Sequence, residues 1–95
     1  MHVQYAFIDS GIGGLPYLEH LREREKNAQA VYVADTANFP YGTKTTAELQ
    51  EIAIRTVQKI IERFQPELII VACNTLSVVA LDVLRKQFAL PYVGT

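Results

Sequence analysis

Four short apolar runs alternate with three helical patterns, and that alternation restricts this chain more than any other feature. "QYAFI" (4–8), "AVYVA" (30–34), "ELIIVA" (67–72) and "PYVG" (91–94) have the length and residue types of strands. Between them, apolar residues return every three or four positions, as on one face of a helix. The first such stretch carries Leu15, Leu18 and Leu21, after a break at Gly11, Gly13 and Gly14. The second carries Leu49, Ile52, Ala53, Val57, Ile60, Ile61 and Phe64. Thr45 and Glu48 have capping-box spacing at its start, and Pro66 ends it. The third carries Leu76, Val79, Ala80, Val83, Leu84 and Phe88. Strand and helix in strict alternation predict an α/β fold with a parallel sheet of about four strands and three helices. Right-handed crossovers narrow the arrangement to a flavodoxin-like strand order, 2-1-3-4.

That order has a chemical consequence. It sets the first and third strands side by side at the switch point, where such sheets bind ligands. The loops leaving those strands are Asp9-Ser10-Gly11 and Cys73-Asn74-Thr75. Two polar clusters far apart in sequence therefore meet at one crevice. The helices distribute unevenly in this order, one on one face and two on the other. One face is expected to be partly bare, awaiting the rest of a longer chain or a second copy in a homodimer.

Bulk properties exclude several classes. At 95 residues the chain suits one small domain. A net charge of −1 gives no field to attract a polyanion, so nucleic acid is not an expected partner. A single cysteine makes no internal disulfide, and "MHVQYAFIDS" lacks the shape of a signal peptide. No apolar run reaches the ~20 residues that span a bilayer. The reading is a soluble, cytoplasmic protein.

Cys73 is the residue on which function turns. A free cysteine is often just a small buried hydrophobe. At the end of a strand and the start of a helix, however, a thiol meets unsatisfied backbone N–H groups that favour thiolate. Its neighbours would be Asn74, Thr75 and Asp9, which suits a reactive, reachable site better than a core. Asp9 reads equally as a turn aspartate bonding its own backbone or as a carboxylate that accepts protons and holds an ammonium group. Ser10 shares that ambiguity.

The glycines do not make a dinucleotide fingerprint, because the third position of G-x-G-x-x-G, counted from Gly11, is Pro16. "GTKTT" is not a phosphate loop, since Gly42 and Lys44 are not adjacent. Gly11, Gly13 and Gly14 instead suggest backbone amides approaching a small anion such as a carboxylate. "FPYG" (39–42) is a turn in which Tyr41 and Gly42 can also wall a binding site. His2 and His20 have no partners at ligand spacing, "REREK" (22–26) reads as a solvated helix face, and no metal site is expected.

Together, "FIDSGIGGL", "VADTANFPYGTK" and "IIVACNT" resemble the signatures of the amino-terminal half of glutamate racemase, in order and in register. The resemblance spans essentially the whole chain. It implies residues 1–95 as the amino-terminal α/β domain, a fragment, of a two-domain isomerase that supplies D-glutamate for peptidoglycan, hence for cell-wall biogenesis and cell shape. It implies no cofactor. Two cysteines on opposite faces of the substrate's α-carbon would exchange its proton. By position Cys73 is the first of that pair and the base toward the D-enantiomer, with Asp9 assisting near the amino group. Ser10, Tyr41, Gly42, Asn74 and Thr75 would contact the substrate. The partner cysteine would come from a second domain absent from these residues, so the chain alone is expected to be inactive. One departure stands out: the family usually has alanine after Cys-Asn-Thr, and this chain has Leu76. A bulkier neighbour leaves open a related acidic substrate such as aspartate. A carboxylate-binding domain without catalysis is the alternative of another class.

Overall fold

The computed structural model describes residues 2–11, 13–35 and 43–94. Four strands, β1 (Tyr5–Asp9), β2 (Ala30–Ala34), β3 (Leu68–Val71) and β4 (Tyr92–Gly94), alternate with α1 (Leu15–Arg24), α2 (Thr46–Phe64) and α3 (Asn74–Gln87). All pairings are parallel, in the order β2-β1-β3-β4. The expected fold and strand order are both present.

The core lies between one sheet face and the two longer helices. Alternate strand residues Ala6, Ile8, Ile69, Val71 and Tyr92 point into it. Helix α2 contributes Leu49, Ile52, Ala53, Val57 and Ile60, so its buried stripe is the one its periodicity predicted. Helix α3 adds Leu76, Ala80 and Leu84. Ile69 is fully enclosed, and its truncation to alanine is of the type that costs about 2–5 kcal/mol.

The ends of α2 follow local chemistry. Thr45 Oγ1 accepts from Glu48 N–H, and Glu48 returns a bond to the Thr45 N–H, which completes the capping box. At the far end Gln65 adopts left-handed φ 46° ahead of Pro66, and its N–H closes on the Ile61 carbonyl.

The opposite sheet face is covered less completely. Helix α1 has no fully buried residue. A groove of about 410 Å³ runs beside it over Leu68, Ile70 and Val93, and Val93 is 49% exposed. The uneven helix distribution thus leaves the partly bare face that the strand order implied. Among the described residues no helix is long and apolar enough to cross a membrane.

Candidate active site

The register of β1 and β3 builds the site. Ile8 pairs with Val71, and the Ala72 N–H donates to the Ile8 carbonyl at 2.9 Å. The paired stretch therefore ends at Ile8 and Val71, and the residues that follow, Asp9-Ser10 and Cys73-Asn74, lie at the same end of the sheet. Cys73 Sγ lies 3.8 Å from Ser10 Oγ, across 63 positions of sequence. Cys73 is the N-cap residue of α3, with extended backbone and no side-chain cap bond. The first turn of α3 therefore starts directly beside its thiol. Asn74 is exposed and Thr75 half-buried in that first turn.

The thiol is less open than its corner position suggested. Cys73 is only 7% exposed and belongs to the apolar core cluster. It sits where the core meets the crevice, wall on one side and hydroxyl on the other.

Asp9 is buried more deeply still, at 4% exposure. Its Oδ1 accepts from the Ser10 N–H at 2.8 Å, and its Oδ2 from the Gly14 N–H at 2.7 Å. The turn role anticipated for this residue is therefore real, and it coexists with placement at the crevice. Oδ2 also accepts the phenol proton of Tyr32. That phenol is held well above its ordinary ionisation range, first by burial and then by the Asp9 carboxylate.

Two sequence readings change here. Gly14 does not offer its amide to an outside anion, because that N–H is already shared between Asp9 Oδ2 and Tyr32 Oη, the latter at 3.1 Å. The anion it binds is the chain's own. Leu76 does not narrow the crevice either: it is 1% exposed and packs in the core with α2. The proposed contacts Tyr41 and Gly42 lie outside the described residues.

Tyr32 is the residue that sequence reading missed. It was read only as a strand position, although its alternation phase places it on the same sheet face as Phe7 and Asp9. Ser77 was missed as well. Its Oγ donates to the Val71 carbonyl at 3.0 Å and ties the first turns of α3 to the end of β3.

Among the described residues there is no group of three or more His, Cys, Asp or Glu placed to hold a metal ion. A separate cleft of about 240 Å³ between β2 and α2, lined by Asp35, Lys59 and Arg63 among others, contains neither Cys73 nor Asp9. The chemistry, not the size of the hollow, selects the β1–β3 crevice.

No protein-family model matches the chain. Individual proteins do. The glutamate racemase of Treponema pallidum (strain Nichols) is 50% identical over 91 residues, which is 96% of this chain and 34% of the relative. That of Glaesserella parasuis is 47% identical over 87 residues, 92% of this chain and 33% of the relative. Among solved structures, Escherichia coli glutamate racemase in complex with L-glutamate and an activator superposes with a TM-score of 0.92 at 36% identity. The match covers 99% of this chain and 35% of that one. The Francisella tularensis enzyme in complex with D-glutamate gives 0.89 at 35% identity, covering 98% of this chain and 35% of that one. The chain is similar to glutamate racemases throughout its length and spans about a third of theirs.

Proposed function

We propose that this chain, a relative of the glutamate racemases over about a third of their length, supplies one half of the active site of such an enzyme. Residues 1–95 would form one α/β domain of a two-domain isomerase acting on glutamate without a cofactor. The observation that carries the reading is the meeting of Cys73 with Ser10, itself bonded to Asp9, where β1 and β3 end.

The chemistry follows from what each group can do. The Cys73 thiolate takes the α-proton of D-glutamate and becomes a thiol, leaving a carbanion whose charge spreads into the α-carboxylate. A second thiol, on the other face and from outside these residues, then gives its proton to that carbon and yields L-glutamate. In the reverse direction the two sulfurs exchange roles. Asp9 assists proton transfer and faces the ammonium group. Ser10, Asn74 and Thr75 hold the substrate's polar ends, with Tyr41 and Gly42 assigned to the same task by resemblance. The start of α3, with its positive dipole end, suits a carboxylate. The D-glutamate formed would serve peptidoglycan assembly in the cytoplasm.

Glutamate is preferred over aspartate because the similar proteins are glutamate racemases. The case for a different substrate rested on Leu76, and that side chain points into the core.

Inversion needs a proton removed from one face and delivered to the other, and Cys73 occupies one face only. Circular dichroism of L-glutamate should therefore show no turnover with residues 1–95 alone. Joining the chain to the remaining two thirds of a relative should restore racemisation, and Cys73→Ala should abolish it. Activity that survives Cys73→Ala in the joined protein would sink the proposal.

A further inference from the structure

We infer that Tyr32 is a positioning residue, holding the Asp9 carboxylate so that Oδ2 is fully engaged and Oδ1 is the oxygen presented to the Cys73 crevice. The inference deepens the racemase reading of this site, and its catalytic consequence rests on that reading. Its structural content does not.

The two oxygens of Asp9 have unequal surroundings. A carboxylate oxygen has room for about two donors. Oδ2 has both places filled, by the Gly14 N–H and the Tyr32 O–H. Oδ1 has the Ser10 N–H, from the residue whose Oγ touches the Cys73 sulfur. Among the described residues, the oxygen with remaining capacity is thus Oδ1, whose partner Ser10 is also the residue that reaches the thiol.

Tyr32 suits such a role because the sheet, not a loop, holds it. It lies on β2 opposite Phe7 of β1, and their rings stack with centroids 5.9 Å apart and planes 21° from parallel. The phenol oxygen also accepts from the Gly14 N–H at 3.1 Å, so its own proton is committed to Asp9. The triangle has no spare volume. A Cβ on residue 14 would fall 2.9 Å from Tyr32 Oη, 3.0 Å from Asp9 Oδ2 and 2.5 Å from Ala72 Cβ, distances only a glycine escapes. Because burial and the carboxylate keep the phenol protonated, it stays a donor throughout the neutral range. Among the described residues, the ionisable groups that act on it are Asp9 and Cys73.

The test uses residues 1–95 labelled with ¹³C at tyrosine and aspartate side chains, read by NMR. Of the 5 tyrosines, Tyr32 should be the last to ionise at its Cζ resonance. Asp9→Asn should make it about tenfold more acidic, because the carboxylate's charge is gone while the burial remains. Reciprocally, Tyr32→Phe should move the Asp9 Cγ resonance at neutral pH while the ring stays stacked on Phe7. An Asp9 signal that stays put, or a Tyr32 titration indifferent to Asp9→Asn, overturns the inference even if Tyr32→Phe lowers stability. In the joined, racemising protein Tyr32→Phe should lower kcat about 10-fold and leave KM within about twofold. Unchanged kcat there would also overturn it. Failure of the racemase reading is separately visible, as activity indifferent to Cys73→Ala with both resonance effects intact.

Discussion

Cys73 and Ser10 meet side chain to side chain at 3.8 Å, one at the start of α3 and the other at the end of β1. The contact exists because a parallel pairing brings Ile8 level with Val71. Cys73 as a residue is only 7% exposed there. Iodoacetamide should therefore label Cys73 much more slowly in the folded chain than in denaturant. In the joined enzyme, added glutamate should slow native labelling further, because substrate would fill the same opening. Labelling at equal rates before and after denaturation would contradict the burial, and indifference to glutamate would contradict the assignment of the crevice.

Asp9→Asn separates the two roles this carboxylate holds. The amide preserves the shape, and with its oxygen in the Oδ2 place it can still accept from Gly14 and Tyr32, losing only the Ser10 N–H, so most of the turn should persist. What it loses is charge and basicity. In the joined enzyme kcat should fall by ~10²–10⁴-fold, with a smaller change in KM. A raised KM with unchanged kcat would make Asp9 a binding residue only.

The capping box of α2 offers a pH-dependent check. Glu48 is held below its ordinary range, first by the Thr45 N–H and then by the Thr45 hydroxyl. A carboxylate depressed in the fold stabilises above its unfolded pKa, and that contribution disappears as pH falls through the folded value. Thr45→Ala should cost about 1 kcal/mol in urea unfolding at neutral pH. The difference between the two proteins should shrink in acid, once Glu48 is protonated in both. A difference that grows in acid would show that the box is not the source.

The sequence made the frame legible because burial on a sheet face and on a helix face leaves two distinct periods, and both were strong here. The alternation of β1 and β3 and the stripe from Leu49 to Ile60 needed no tertiary knowledge. The meeting of the β1 and β3 loops, seen at Cys73 and Ser10, was legible too, since strand order alone fixes which loops come together. Tyr32 was not. Its bond to Asp9 depends on a diagonal between neighbouring strands and on a Gly14 amide between them, and neither has a local sequence signal. The fate of Gly14 and Leu76 was hidden for a similar reason: adjacency to a site says nothing about which way a residue points.

The Tyr92 hydroxyl carries the last prediction. Tyr92 begins β4 at the edge of the sheet, is 7% exposed, and packs in the core cluster with Ile69 and Leu84. Its oxygen is buried without a hydrogen-bond partner among the described residues. Burial also pushes its phenol proton upward, which adds no compensating contact. An unsatisfied buried hydroxyl costs about 1–3 kcal/mol relative to a paired one, and removing it relieves that cost. Tyr92→Phe keeps the ring and its packing and deletes only the oxygen. In the 95-residue chain it should leave stability unchanged or raise it by about 1 kcal/mol in urea unfolding. If the remaining part of a longer protein provides the partner, the sign should reverse in the joined enzyme, where the same substitution would cost about 1 kcal/mol. A clear loss of stability in the isolated chain would mean that the hydroxyl is already satisfied there.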